Sequence, residues 1–327
     1  MPTRRWIVIG AGAVGGTIGG RLHQGGAEVV LVARGAHGEA IRSEGLLLRD
    51  PDGEARLAVA CVAAPGEVDW RPGDVAVVAT KTQDAAAVLD AVAAASSDVP
   101  VVCATNGIEA ERLALRRLPA VHGMCVMLPA AHLEPGVVEA SSAPCSGILD
   151  VGLALGGHDE VDADLAAALA AGGFVADPEP EVMRRKRAKL LLNLANVLDA
   201  ACGPDPDILP IATSARAEGV ATFEAAGLAY ASEDEDRARR GDHLRMRPID
   251  GRRRGGGSTW QSLARGAGTT EADYLNGEIV LLGRQHGVPT PVNLGLQYLA
   301  RHLASTGAAP GSMSPDDVGS WLLDHHG

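Results

Sequence analysis

The apolar run Trp6-Ile7-Val8-Ile9 leads directly into Gly10-Ala11-Gly12-Ala13-Val14-Gly15. A helical stretch follows to about residue 24, and then a second apolar run over 28–33. Alone, Gly-x-Gly-x-x-Gly is a weak signal. Between a first strand and a helix it restricts the fold sharply. Gly10 permits the tight turn, Gly12 lets a pyrophosphate approach the backbone, and Gly15 lets helix and strand pack closely. The helix N-terminus offers N–H groups and a positive dipole end to phosphates. Residues 10–15, with Ala11, Ala13 and Val14 between the glycines, are therefore expected to hold a dinucleotide.

The end of the second strand bears on which dinucleotide. An NAD site usually carries Asp or Glu there to bond the ribose 2′-hydroxyl. Here the strand ends at Ala33-Arg34, and no acid follows until Glu39. Arginine suits a 2′-phosphate that an acid would repel, so NADP(H) is the expected cofactor, with Arg34 on the phosphate.

The alternation continues. Residues 75–79 and 99–104 read as buried strands, the first followed by a helical stretch. Their ends carry Thr80-Lys81-Thr82 and Thr105-Asn106-Gly107. Ligands of doubly wound sheets sit beyond such carboxyl ends, which makes Lys81 and Asn106 cofactor-site candidates. Segments 46–48 and 55–60, joined by Asp50-Pro51-Asp52-Gly53, suggest an inserted hairpin, and 137–139 and 147–152 suggest antiparallel additions. Asp177-Pro178-Glu179-Pro180 reads as a linker. The expected organisation is an α/β Rossmann-like doubly wound sheet over 1–178, then an all-α domain over 179–327 with no strands.

Composition narrows the partners. A net charge of −12 argues against bulk nucleic-acid binding. The five cysteines are dispersed without a Cys-x-x-Cys pair, as expected for reduced thiols in the cytoplasm. A strand beginning at Trp6 leaves no room for a signal peptide. No apolar run approaches the ~18 residues of a membrane span. The histidines suggest no metal cluster. An alanine-rich helical half is compatible with a homodimer, although it shows no specific seam.

Of 29 basic residues only Lys81, Lys186 and Lys189 are lysines. Arginine holds its proton, whereas a lysine can be tuned to give one up. Lys186 sits in the Arg184-Arg185-Lys186-Arg187 run, which reads as surface and linker charge. Lys189 lies in a helix expected over 181–201. Spacings of four and seven residues put Asn193 and Asn196 on its face, a polar stripe in an otherwise apolar helix. Downstream come Ser258-Thr259-Trp260-Gln261, the block from Glu271 to Gly277, His286-Gly287-Val288-Pro289 and Asn293.

Taken in this order, these segments resemble the ketopantoate reductases (2-dehydropantoate 2-reductases) along nearly the whole chain. The resemblance implies NADPH and substrate between a Rossmann domain and a helical domain. It implies that Lys189 protonates the carbonyl oxygen as hydride reaches carbon. Glu271 would hold that lysine and the substrate hydroxyl, close to the cofactor. Asn193 and Ser258 would hold the substrate, and Lys81 and Asn106 would line the cofactor site.

The chain also departs from the family pattern. Many members carry Asp where this chain has Ser262, the spacing from Ser258 to Glu271 is longer by one, and Asn196 comes one position early. All three departures fall on the substrate side, so Asn196 and Ser262 join Asn193 and Ser258 as candidate substrate contacts. Three readings follow. The first is reduction of 2-dehydropantoate. The second is reduction of a different 2-keto acid, ketone or imine by the same chemistry. The third is a non-catalytic NADP(H)-binding protein.

Overall fold

Every residue of β1 (Arg5–Ile9) is buried, and alternate side chains serve two cores. Trp6 and Val8 join a cluster with Ile18, Leu22, Leu165 and Leu169. Ile7 and Ile9 join another with Leu89, Ala110 and Leu118. A strand buried on both faces belongs to a parallel sheet covered by helices on each side. The computed structural model describes residues 4–204 and 206–325. The chain divides into two units, Met1–Lys186 with Glu233–Arg254, and Arg187–Ser232 with Gly255–Gly327.

In the first unit β1 is followed by α1 (Ala13–Gln24), β2 (Glu28–Val32) and α2 (Gly35–Glu44). The expected hairpin forms from β3 (Leu46–Asp50) and β4 (Gly53–Leu57), antiparallel, with Asp50 opposite Gly53. Then come β5 (Ala60–Val62), β6 (Asp74–Val78), α3 (Thr82–Ala95), β7 (Val101–Cys103), α4 (Glu109–Leu115) and β8 (Val121–Met127). Short strands β9 (Ala130–Ala131), β10 (Val137–Ala140) and β11 (Ser142–Pro144) lead to β12 (Ile148–Leu153) and α5 (Glu160–Ala171).

The main sheet has the order β12-β8-β7-β6-β1-β2-β5. All neighbours run parallel except β12 against β8. From β1 the chain winds outward through β2 to β5, then restarts at β6 and winds the other way. The reversal between β1 and β6 is where such sheets bind ligands. The segment expected as an antiparallel addition at 137–139 joins a second sheet instead, of order β4-β3-β10-β9, pairing parallel with β3 and antiparallel with β9. The proline-rich stretch after α5 is tied to β12. Glu179 N donates to Val151 O at 2.8 Å, and Val151 N donates to Asp177 O.

Helix α6 (Val182–Asn193) starts in the first unit and finishes in the second, which continues with α7 (Asn196–Cys202) and α8 (Leu209–Ala225). The single helix expected over 181–201 is therefore two. The carbonyl of Leu194 accepts from Asn276 Nδ2 at 3.1 Å, a distant side chain taking the place of a helical N–H.

The chain then returns to the first unit with α9 (Glu233–Arg240) and β13 (Leu244–Met246). β13 pairs antiparallel with β11, so the expectation of no strands after residue 179 is corrected. Three residues, two of them exposed, carry too little alternation to reveal a strand. Arg239 Nε donates to the buried Asp150 Oδ2 at 2.8 Å and fastens α9 to β12.

The second unit resumes with α10 (Ser258–Ala264), α11 (Asn276–His286), α12 (Pro291–Thr306) and α13 (Pro315–His325). Gly219 lets α8 approach closely, since a Cβ there would lie 2.6 Å from Leu191 Cδ2. Asn276 and Asn293 are fully buried and bonded at 3.0 Å. Asn293 Nδ2 also donates to Ala215 O and to Glu218 Oε2. These two amides tie three helices and the α6–α7 break together. No helix among the described residues is long and apolar enough to cross a membrane.

Candidate active site

Arg34, Gly10, Lys81 and Asn106 follow β2, β1, β6 and β7, four neighbouring parallel strands, and so lie along one edge of the sheet. The glycine loop explains its own composition. Gly10 has φ +92°, and a Cβ there would lie 2.7 Å from Thr80 Cγ2. A Cβ on Gly15 would lie 2.2 Å from Gly10 O. At Gly12 a Cβ would meet nothing within 4 Å. Gly12 therefore answers to no packing demand from the protein. It caps α1 with extended backbone, and no acid stands in the first turn. An open cradle at a helix N-terminus without negative charge suits the pyrophosphate of a dinucleotide.

His37 escaped the sequence reading. Its Nε2 donates to Ala11 O at 2.7 Å, its Nδ1 accepts from Gly136 N at 2.8 Å, and its ring lies 4.0 Å from that of His132. The loop is thus braced by a side chain of α2. Burial holds the His37 pKa below the ordinary value of 6.5. A lone histidine in a short helix gives no sequence signal for such a role.

Arg34 caps α2, and its side chain is 85% exposed. It makes an ionic contact with Asp84 Oδ1 at 3.7 Å, across to the first turn of α3. An exposed pair at this distance is worth about 0–1 kcal/mol, so the guanidinium can turn to a phosphate at little cost. Lys81 caps α3 and is half-buried. Asn106 is half-buried too, its carbonyl accepts from Thr82 Oγ1 at 3.3 Å, and Gly107 after it has φ +71°.

In the basic run, Arg184 pairs with Glu181 and Glu235, and Arg185 pairs with Glu179. Lys186 does not fit the surface reading. Its side chain is 2% exposed, and Nζ lies 2.9 Å from Glu111 Oε1.

In the second unit Lys189 and Asn193 share α6 and are half-buried. Asn196 opens α7 beyond the break, so the expected seven-residue spacing along one unbroken helix does not hold for it. It stands beside the start of α10 instead, where a Cβ on Gly257 would lie 3.7 Å from Asn196 Oδ1. Asp199 Oδ2 accepts from Gly257 N at 3.2 Å and so fixes the entry to α10, whose first residue is Ser258. Asn196 and Ser258 are thereby neighbours. Ser262 is buried, and its Oγ donates to Ser258 O at 3.0 Å. Glu271 is buried ahead of the short turn Ala272–Tyr274.

One group of described residues has donor atoms close enough to share a metal ion, His122, Asp159 and Asp162. Its oxygens already serve a helix cap. Asp159 Oδ1 accepts from Val161 N and Asp162 N, while Asp162 accepts from Asp159 N and His122 Nδ1. This reads as the capping box of α5.

The family described as Ketopantoate reductase PanE/ApbA matches residues 6–153, and its C-terminal counterpart matches 181–304. The 2-dehydropantoate 2-reductase of Halobacterium salinarum is 28% identical over 317 residues, covering 91% of this chain and 98% of that protein. That of Pyrococcus horikoshii is 26% identical over 308 residues, covering 92% and 97%. Among solved structures, a PanE/ApbA family ketopantoate reductase from Ralstonia eutropha superposes with TM-score 0.77 at 27% identity over 93% of this chain and 99% of its own. D-mandelate dehydrogenase with NADH and anilino(oxo)acetate gives the same TM-score and coverage at 22% identity, a likeness of fold.

Proposed function

Because the chain belongs to the ketopantoate reductase family, we propose that it is an NADPH-dependent reductase of a small 2-keto acid, 2-dehydropantoate first among them. One observation carries this reading. The two family matches run in order over 6–153 and 181–304, so the glycine loop, Arg34, Lys81 and Asn106 fall in the first, and Lys189, Asn193, Asn196, Ser258, Ser262 and Glu271 in the second.

Residues 10–15 receive the pyrophosphate on the N-terminus of α1, and Arg34 receives the 2′-phosphate. Lys81 and Asn106 would line the cofactor site. When bound, the reduced nicotinamide supplies the hydride that goes to the keto carbon. Negative charge then grows on the keto oxygen, and Lys189 Nζ gives it a proton. Such general acid catalysis contributes about 10²–10⁴ in rate. Arginine could not replace it, because the guanidinium does not release its proton. Glu271 holds Lys189 and accepts the substrate hydroxyl. Asn193, Asn196, Ser258 and Ser262 orient the carboxylate and hydroxyl ends.

Ser262 favours a second reading, in which the substrate is another 2-keto acid. A short hydroxyl stands where the family pattern implies a carboxylate, so the substrate end it meets need not be that of 2-dehydropantoate. D-mandelate dehydrogenase, similar in fold, is solved with NADH and anilino(oxo)acetate, an aryl-bearing oxo acid amide. The deciding test follows NADPH oxidation by the purified chain over a panel of 2-keto acids. Preferred turnover of 2-dehydropantoate supports the first reading, and preference for another acid supports the second. Tight NADPH binding without turnover of any keto acid overturns both in favour of a non-catalytic dinucleotide-binding protein.

A further inference from the structure

The reading above puts Asn106 against the cofactor but leaves Lys186 without a task. Its ammonium is buried with Glu111, the two side chains being 2% and 1% exposed. Beyond the 2.9 Å ion pair, Nζ donates to Thr105 O at 2.8 Å and Met124 O at 3.2 Å, and lies 3.5 Å from Cys103 O. One ammonium thus grips the end of β7 and the middle of β8. The fold makes room for it. A Cβ on Gly123 of β8 would lie 3.3 Å from both Glu111 Oε1 and Lys186 Cδ.

We propose that Lys186, paired with Glu111, is a positioning residue that fixes the Thr105-Asn106-Gly107 turn and so controls dinucleotide binding through Asn106. The two peptide carbonyls on either side of the Asn106 Cα are both held, that of Thr105 by Lys186 and that of Asn106 by Thr82 Oγ1. With both peptide planes pinned, the Asn106 Cα–Cβ bond is held in one direction, from which its amide reaches out. A buried ion pair is a poor device for stability alone, since apolar side chains of similar volume serve as well or better. Apolar side chains cannot hold a carbonyl. The choice of lysine fits the same account. Three protons on a compact ammonium match a cluster of carbonyls and a carboxylate, whereas a planar guanidinium needs a wider fork. An arginine-rich chain therefore keeps a lysine here.

The inference rests on the proposed cofactor role of Asn106, and a double-mutant cycle on NADPH affinity tests it. The proteins are the unaltered chain, Asn106→Ala, the pair variant Lys186→Met/Glu111→Leu, and the combination of all three changes. Replacing both members of the pair avoids stranding a buried charge. The pair variant should bind NADPH about 10-fold more weakly, as should Asn106→Ala, and the combination should be no weaker than either. A purely structural pair would give losses that multiply to about 100-fold, or no loss in the pair variant. Either result overturns the inference. If the pair variant does not fold, Gly123→Ala, which presses on Glu111 and Lys186, enters the same cycle with the same two criteria. If the unaltered chain binds no NADPH, the cofactor reading fails and takes the inference with it. If it binds NADPH and the losses multiply, the inference alone fails.

Discussion

His37 donates from Nε2 to the carbonyl of Ala11 at 2.7 Å, so the glycine loop is braced by a side chain that follows the next strand. The same ring accepts from Gly136 N–H through Nδ1 at 2.8 Å. Only the neutral ring protonated on Nε2 makes both bonds.

A pH dependence follows. Burial keeps the folded His37 pKa below 6.5, so the braced form takes a proton less readily than a released ring. Above pH 6.5 both forms are neutral and nothing is lost. As pH falls below 6.5 the released form gains its proton first, and the braced loop loses stability. NADPH affinity should therefore be flat above that pH and weaken below it. His37→Asn should weaken binding by roughly 3–30-fold and flatten the slope. Titrations from pH 5 to 8 check both, and an unchanged slope in the variant would refute the brace.

For the proposed proton donor, Lys189→Ala should lower kcat by roughly 10²–10⁴ while leaving NADPH binding nearly unchanged. Lys189→Arg should restore little of that loss. Near-normal turnover in the arginine variant would remove Lys189 from the chemistry.

Arg34 and Asp84 should act in opposite senses. Arg34→Ala should weaken NADPH by about 10-fold or more and leave NADH nearly unchanged, because only NADPH carries the 2′-phosphate. Asp84→Asn removes a negative charge 3.7 Å from the guanidinium and should tighten NADPH by a few-fold at low salt, an effect that salt screens. Equal losses for both cofactors in Arg34→Ala would mean that the guanidinium does not meet the phosphate.

Arg239→Met should destabilise the first unit. It leaves the carboxylate of Asp150, 2% exposed, without its guanidinium, and breaking such a pair costs about 3 kcal/mol or more. A lowered urea midpoint for the unit is the expected result. Asp150→Asn added to Arg239→Met should recover part of the loss, because it removes the stranded charge.

The sheet was legible where burial alone dictates the residues. β1, β2 and β6 are apolar throughout or nearly so, and the β3–β4 hairpin was marked by Asp50-Pro51-Asp52-Gly53. What the sequence hid are effects of distant partners. The helix over 181–201 breaks after Asn193, where the distant Asn276 bonds the carbonyl of Leu194. Lys186 stood out as one of three lysines, yet its burial depends on Glu111 and on Gly123, both far away in sequence. Asn276 and Asn293, which lie in segments that carry the family resemblance, tie helices together through partners far away in sequence. His37 had no local signature at all.

The return of residues 233–254 to the first unit has a consequence for how this protein is made. β11 and Asp150 leave the ribosome well before β13 and Arg239, which will cover them, have been synthesised. The first unit must wait, incomplete, while helical chain is spun out between its two portions. No single cut can excise it as an intact module, and any recombinant fragment ending near residue 178 would carry an exposed strand edge and a carboxylate stripped of its guanidinium.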